Sequence, residues 1–204
     1  MAGLSGLDIP WRLHAVIARS TANGPGTRRV IWSQGCSLGC PGCFNPETHA
    51  PLGDGGDGDG GKGFVRPVGE VAADVLADAA HLEGVTLTGG EPLEQPAAVA
   101  AFCTEVKAHS GLGVIVLTGF TRREIEADPA RAAAVADADL VIAGRYNERL
   151  HLGRGLRGSS NKEHWTRTDR YGAGELPDVP ELEIMIADDA TMTFTGMVAP
   201  GGEF

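Results

Sequence analysis

Short apolar strands alternate with segments of helical periodicity through the middle of this 204-residue chain. Apolar side chains recur at helical spacing over 68–79 and 99–106, and residues 121–138 predict a third helical segment with a break at Pro129. The pattern also predicts strands at 84–88, 113–118 and 139–143. Strands and helices that alternate in this way form parallel β/α units with right-handed crossovers, and their reactive loops lie at the carboxyl ends of the strands. The alternation therefore predicts an α/β fold around a parallel sheet.

The segments on either side of this pattern predict further strands. Residues 11–18 and 28–33 predict an N-terminal strand pair around a turn, and 182–187 and 191–196 predict two more strands near the end of the chain. We expect about six parallel strands, fewer than the eight of a closed barrel. The expected fold is a partial (β/α)6 barrel in a single domain over 1–204.

A glycine- and aspartate-rich stretch, 53–63, interrupts the pattern before the first of these helices. It has almost no side chain to bury, so it predicts a flexible, solvated inserted loop. Asp54, Asp57 and Asp59 are spaced somewhat as in a calcium loop, but no glutamate follows at the position that closes such a site. We interpret the stretch as a loop without a metal.

Composition excludes several classes of protein. The net charge of −10 repels phosphate backbones, which argues against a general nucleic-acid binder. No apolar run is long enough for a membrane span, and the N-terminus lacks the features of a signal peptide, so we expect a cytoplasmic protein. Thiols stay reduced there, and clustered cysteines then indicate metal or redox chemistry rather than disulfides.

Three of the four cysteines, Cys36, Cys40 and Cys43, lie within eight positions after the second predicted strand. With His49 they can complete a tetrahedral zinc site. Cys40 and Cys43 can instead form a dithiol of thioredoxin type, which leaves Cys36 without a role. A four-iron cluster held by three thiolates leaves one iron open to bind a substrate. The spacing and the parallel β/α pattern favour the open cluster.

A glycine-rich motif, GGEP at 89–92, follows the next predicted strand. Cys36-x3-Cys40-x2-Cys43 resembles the signature of radical S-adenosylmethionine (SAM) enzymes, and GGEP resembles the motif that follows it in that superfamily. Gly42 and Phe44, in "CPGCFN", further resemble the small activating proteins of anaerobic (class III) ribonucleotide reductases and other glycyl-radical enzymes. The likeness covers about 24–161 and departs from those activases in the loop at 53–63.

The resemblance implies a [4Fe–4S] cluster on the three cysteines, with SAM bound to the free iron. Electron transfer from the cluster would then cleave SAM to methionine and a 5′-deoxyadenosyl radical. It also implies an electron donor of the reduced flavodoxin or ferredoxin type. The residues expected to bind SAM are Phe44 beside the adenine, the strand-end residues Gly89, Gly90, Glu91 and Pro92 around the amino group, and Ser159 and Asn161 at the ribose or carboxylate.

Some of these residues also fit purely structural roles. Phe44 can pack without touching a ligand, and Ser159 and Asn161 suit a turn or a helix cap equally well. Cys103 lies on the apolar face of its helix, which indicates a buried small hydrophobe. We interpret Arg28 and Arg29 as solvated charges at a strand end.

Three functions fit the sequence. The first is an activase that abstracts a hydrogen from a backbone glycine of a large partner enzyme. The second is a stand-alone radical SAM enzyme that acts on a peptide or small metabolite. The third is a zinc-binding interaction protein in which Cys36, Cys40, Cys43 and His49 only stabilise a fold.

Overall fold

The computed structural model describes residues 6–52, 63–172 and 176–197. The predicted loop at 53–63, and with it the calcium-loop interpretation, lies outside these ranges except for Gly63. No helix within the described ranges combines the length and the apolar character needed to cross a membrane.

The described residues form strands and helices in the alternation that the sequence predicts. The strands are β1 (Pro10–Ser20), β2 (Arg28–Ser33), β3 (Phe64–Pro67), β4 (Gly84–Gly89), β5 (Gly113–Leu117), β6 (Leu140–Ala143), β7 (His151–Arg154), β8 (Arg157–Ser159), β9 (Glu163–Thr166), β10 (Leu182–Ile186) and β11 (Met192–Gly196). The α-helices are α1 (Val68–Ala77), α2 (Pro96–His109), α3 (Arg122–Glu126) and α4 (Pro129–Ala134).

One seven-stranded sheet organises the fold, in the order β3-β1-β2-β4-β5-β6-β9. Strands β2, β4, β5 and β6 run parallel, whereas β1, β3 and β9 are antiparallel to their neighbours. The mixed α/β class with a parallel-rich sheet is confirmed. The parallel strands number four among the described residues rather than the predicted six. The two predicted C-terminal strands form a separate antiparallel hairpin, β10-β11, instead of extending the sheet.

The two faces of the sheet are covered by different parts of the chain. Val114 and Val116 of β5 share a core with apolar residues of all four α-helices. Ile115, between them, belongs to a second core with Leu156 and Tyr171 from the C-terminal third. Because side chains alternate across a strand, β5 contributes to both cores and its sequence is continuously apolar.

The break in the third helical segment is explained by local capping. Thr121 begins α3 with a capping box in which the side chain of Glu124 accepts from the Thr121 amide. Asp128 then caps α4 by accepting from the amides of Ala130 and Arg131, with Pro129 in the first helical position. The sequence prediction of a helix interrupted at Pro129 is thus confirmed.

Arg28 corrects the interpretation of a solvated strand-end charge. Its side chain is fully buried, and burial lowers the pKa of the guanidinium. Arg29 is also only 12% exposed and pairs with Asp78 at 3.2 Å. All five N–H groups of Arg28 have acceptors: Thr86 Oγ1 (2.8 Å), Tyr171 Oη (2.7 Å) and the carbonyl oxygens of Pro25 (3.3 Å), Val85 (2.6 Å) and Gly113 (2.9 Å).

These contacts make Arg28 a connector between the sheet and the C-terminal third. Its hydrogen bonds reach β4, the residue that begins β5, and Tyr171 in the second core. A close approach accompanies them, since a Cβ on Gly84 would lie 2.6 Å from the guanidinium nitrogens. We infer that Arg28 stabilises the amino-terminal ends of the parallel strands, which lie opposite their carboxyl ends.

We expect Arg28→Lys to lower the free energy of unfolding by about 2–3 kcal/mol, because an ammonium with three donors leaves buried acceptors unpaired. Urea unfolding of the reconstituted protein measures the change. Arg19→Lys is the control, since the Arg19 side chain is 52% exposed in a surface ion pair. Equal stability of the two variants would contradict the structural role of Arg28.

Candidate functional site

An open cavity of about 720 Å³, including solvent at its mouth, lies at the carboxyl ends of the parallel strands. This is where α/β proteins build their sites, because the loops after adjacent parallel strands meet at one edge. The cavity brings together loops that follow β2, β4, β5 and β6. Among its lining residues are Cys36, Cys40, Cys43, Phe44, His49, Gly89, Gly90, Glu91, Thr118, Tyr146 and Lys162.

The cysteine loop follows β2 directly and is closed on itself by backbone hydrogen bonds. The amide of Gly35 donates to the carbonyl of Thr48 at 2.8 Å, and that of Cys36 donates to the carbonyl of His49 at 3.1 Å. The amide of Cys43 donates to the carbonyl of Cys40 at 3.2 Å and forms a turn between the second and third cysteines. The two ends of the loop are therefore fastened together, and the thiols line the space beside them.

Glycines allow this path because the backbone turns through left-handed conformations. Gly35, Gly39 and Gly42 have φ of 99°, 58° and 67°. A Cβ on Gly35 or Gly39 would meet no atom within 4 Å, so the surroundings are open and the requirement for glycine there is conformational.

The three thiols share one cavity wall and are each partly buried. Burial raises the pKa of Cys36 to about 11 and also raises that of Cys43, so the chain alone favours protonated thiols. Metal ligation requires thiolates, and iron would stabilise them.

A single metal ion and a four-iron cluster require different arrangements of these ligands. Among the described residues, no group of three or more His, Cys, Asp or Glu side chains is positioned to hold one metal ion. The zinc site that Cys36, Cys40, Cys43 and His49 could form is therefore not assembled. A four-iron cluster takes each thiolate at a separate corner, and three soft sulfur donors around one cavity fit that group.

The GGEP segment lies against the start of the cysteine loop. The amide of Gly90 donates to the carbonyl of Ser33, and the amide of Glu91 donates to the carbonyl of Gly35, both at 2.9 Å. Gly89 has φ of 101°, and a Cβ there would lie 2.6 Å from the Ser33 nitrogen. A Cβ on Gly90 would lie 2.4 Å from the Gly35 oxygen. Both glycines are required by the close approach of the two loops.

Glu91 is a buried carboxylate that the chain itself binds at three points. It accepts from the Leu93 amide at 2.9 Å, the Thr118 hydroxyl at 2.7 Å and the Gly119 amide at 2.7 Å. Burial is the main influence and raises the pKa of Glu91, while these hydrogen bonds oppose the shift. Glu91 thereby joins the loop after β4 to the loop after β5 and adds an acidic group to the cavity wall.

Lys162 is a site residue that the sequence analysis missed. Its Nζ donates to the carbonyls of Thr118 (3.2 Å) and Gly144, at the ends of β5 and β6. Burial lowers the pKa of Lys162, and the nearby Glu91, Cys40 and Cys43 counteract that shift. A lysine beside the predicted "SSN" turn carries no sequence signal of its own, because only the fold brings it to the strand ends.

Phe44 lines the cavity and packs in an aromatic group. Its ring centroid lies 4.6 Å from that of Tyr146 and 5.5 Å from that of His151. Gly158 makes room for this group, since a Cβ there would lie 3.1 Å from the Phe44 ring. Phe44 and Tyr146 of this group give the cavity an aromatic wall, with their rings tilted by 53° to one another.

The other predicted binding residues make their contacts within the loops around the cavity. The buried hydroxyl of Ser159 accepts from the Asn147 amide at 3.2 Å, and the Asn161 amide group donates to the Arg145 carbonyl at 2.9 Å. Pro92 is buried in the short helix after Glu91. In the described part of the chain, these three side chains shape the loops and do not line the cavity.

Cys103 is confirmed as a core residue. It is 1% exposed on α2, and burial raises the pKa of its thiol to about 12. It lies in the core shared by the helices, and it does not line the cavity. Its burial among apolar side chains keeps this thiol protonated.

We expect Glu91→Gln to speed hydrogen exchange of either the Leu93 or the Gly119 amide at least about tenfold, because one of the two acceptor oxygens becomes a donor and the N–H that faces it loses its partner. Exchange of individual amides by NMR measures this. Glu94→Gln is the control, because Glu94 contacts Ser37 instead. Unchanged exchange at both Leu93 and Gly119 would show that Glu91 does not join the two loops.

Comparison with known proteins agrees with this geometry. Residues 22–165 match the family described as 4Fe-4S single cluster domain. The anaerobic ribonucleoside-triphosphate reductase-activating protein of Enterobacteria phage T4 is 30% identical over 150 residues, which cover 72% of this chain and 88% of that protein. The protein of the same name from Salmonella typhi is 28% identical over 74% of this chain and 96% of its own length.

The chain is also similar to two proteins with other names. The pyruvate formate-lyase-activating enzyme of Listeria monocytogenes is 34% identical over 71% of this chain and 58% of that enzyme. The crystal structure of QueE from Escherichia coli superposes with a TM-score of 0.48 and 15% identity, over 66% of this chain and 70% of that chain. On the sequence matches, this chain belongs to the 4Fe-4S single cluster domain family of radical SAM enzymes, whose cofactors are a [4Fe–4S] cluster and S-adenosylmethionine.

Proposed function

We propose that this chain is an activating enzyme that generates a glycyl radical on a partner enzyme, an anaerobic ribonucleotide reductase. The observation that carries the proposal is the convergence of three thiols, the GGEP backbone and a buried lysine on one open cavity at the carboxyl ends of the strands. The relatives named as reductase-activating proteins supply the class of partner. A reduced flavodoxin- or ferredoxin-type protein would supply the electron.

In this proposal Cys36, Cys40 and Cys43 hold the cluster, and the loop after β4 holds SAM against it. When bound, the pair of cofactors supplies reductive cleavage of SAM to methionine and a 5′-deoxyadenosyl radical. The chain's own contribution is to bind, orient and shield these groups. The backbone hydrogen bonds between the GGEP segment and the cysteine loop keep the two binding elements in a fixed relation.

Charge complementarity supports a place for the amino-acid end of SAM. Its ammonium and carboxylate carry opposite charges, and the cavity wall presents Glu91 and Lys162, which influence each other electrostatically. Two of the three ammonium donors of Lys162 are used by Thr118 and Gly144, and the third remains for a ligand. We propose that Lys162 binds the carboxylate while Glu91 and the backbone of Gly89 and Gly90 attract the ammonium.

The aromatic wall of Phe44 and Tyr146 suits the adenine. A planar base gains from stacking on aromatic rings and from leaving water. In the part of the chain that the structure describes, the cavity is open on its outer side, so the reactive carbon of bound SAM could meet a chain segment offered by another protein there. This openness supports a protein substrate over an enclosed small metabolite.

We expect Cys40→Ala to abolish 5′-deoxyadenosine formation and to lower iron and labile sulfide in the anaerobically reconstituted protein, because two thiolates hold the cluster poorly. Chromatography of the products and metal analysis measure both effects. Cys103→Ala is the matched control, since Cys103 is buried in α2 away from the cavity, and it should retain cluster and product. Substantial product from Cys40→Ala would contradict the assignment of the ligands.

The partner is tested by mixing the loaded chain with SAM, reductant and the large reductase subunit from the same genome. We expect a glycyl-radical doublet in the electron paramagnetic resonance (EPR) spectrum. 5′-Deoxyadenosine formed without a doublet, with each candidate glycyl-radical partner, would favour the stand-alone enzyme.

We expect Lys162→Met to weaken SAM binding about 10- to 100-fold, because a charge-assisted hydrogen bond of about 1.5–3 kcal/mol is lost. Calorimetric titration of the loaded protein with SAM measures the dissociation constant. Arg19→Met, on the surface, is the control and should bind SAM as the unmodified chain does. Equal affinity in Lys162→Met would refute the carboxylate contact.

A further inference from the structure

His49 contacts the cysteine loop at both ends. Its ring nitrogen Nε2 lies 3.2 Å from the Sγ of Cys43. Its carbonyl accepts from the Cys36 amide at 3.1 Å, and its own amide donates to the Pro46 carbonyl at 3.1 Å, which ends a short 3₁₀ helix. The backbone of His49 thus closes the cysteine loop, and its side chain lies beside the sulfur of Cys43.

The chemistry of the two groups fixes the direction of the hydrogen bond once a cluster is present. A cysteine sulfur bound to iron has no proton, so it can only accept. A neutral imidazole carries one N–H, and the position of Nε2 assigns that proton to this nitrogen. At 3.2 Å the Nε2–H therefore donates to the Cys43 sulfur.

A donated hydrogen bond to a ligand sulfur has a redox consequence. Reduction adds one electron to the cluster, and part of the added charge lies on its sulfurs. A donor aimed at a sulfur therefore stabilises the reduced state more than the oxidised state and raises the reduction potential. The partly buried position of the thiol strengthens this effect, because little water competes for the sulfur.

We propose that His49 is a positioning residue that sets the reduction potential of the cluster by donating its Nε2–H to Cys43. The inference rests on the proposed ligation by Cys36, Cys40 and Cys43. One electron enters from the donor protein, no covalent bond changes, and the proton stays on the imidazole. The sequence allowed His49 as the fourth ligand of a zinc ion. In this proposal it is instead a hydrogen-bond donor to Cys43, the third proposed iron ligand.

The test compares His49→Phe and His49→Gln in the anaerobically reconstituted protein. EPR-monitored redox titration measures the potential of the cluster. For His49→Phe we expect the ratio of reduced to oxidised cluster at a fixed potential to fall about tenfold, a shift of about 59 mV for one electron. His49→Gln keeps an N–H donor and should recover part of the shift. His151→Phe is the control, since His151 contacts Phe44 and Tyr146, and it should leave the potential unchanged.

Two results would overturn the inference. One is a His49→Phe protein with a full complement of iron and sulfide and an unchanged potential. The other is loss of the cluster in both His49→Phe and His49→Gln, which would make His49 a ligand. Failure of the proposed function is separate, because it would appear in the unmodified chain as zinc without labile sulfide.

Discussion

The candidate site depends on the hydrogen bonds that join the end of β4 to the start of the cysteine loop. Parallel pairing of β2 and β4 places Ser33 beside Gly89, and the chain continues this ladder past the end of the sheet. Gly90 and Glu91 donate their amides to Ser33 and Gly35. Gly89 and Gly90 permit these contacts, because a Cβ on either glycine would overlap the backbone of the neighbouring segment.

Charge is distributed around this junction in an ordered way. Glu91 is buried but saturated by donors from the loops after β4 and β5, which makes a carboxylate tolerable there. Lys162 is held by carbonyls at the ends of β5 and β6. Glu91 and Lys162 thus bring opposite charges to the cavity from different loops, as a zwitterionic ligand requires.

At the amino-terminal ends of the parallel strands, a buried charge is stabilised by hydrogen bonds to uncharged groups. The hydrogen bonds of Arg28 all go to carbonyl and hydroxyl oxygens, whose dipoles stabilise its positive charge. One arginine thereby couples β2, β4 and β5 to the C-terminal third. These hydrogen bonds fasten the amino-terminal ends of the strands, whereas the carboxyl ends border the open cavity.

Local information was sufficient for much of the fold and for the clustering of the three thiols. Periodicity located β2, β4, β5 and β6 and the helices between them, because burial on two faces makes such strands continuously apolar. The spacing of Cys36, Cys40 and Cys43 favoured an iron–sulfur cluster, because metal ligation leaves a pattern in the sequence itself. By contrast β3, β7, β8 and β9 were missed, since short edge strands and hairpins have weak periodicity.

The sequence by itself determined the α/β alternation, the three thiols and the GGEP loop, since each depends on neighbours along the chain. Only the tertiary structure decided that Arg28 is buried, that Lys162 reaches the cavity, and that His49 lies beside a sulfur rather than completing a zinc site. These roles depend on distant segments that meet through sheet register and loop closure. Charge and residue type alone do not reveal such partners, because the same side chain is solvated in one fold and saturated in another.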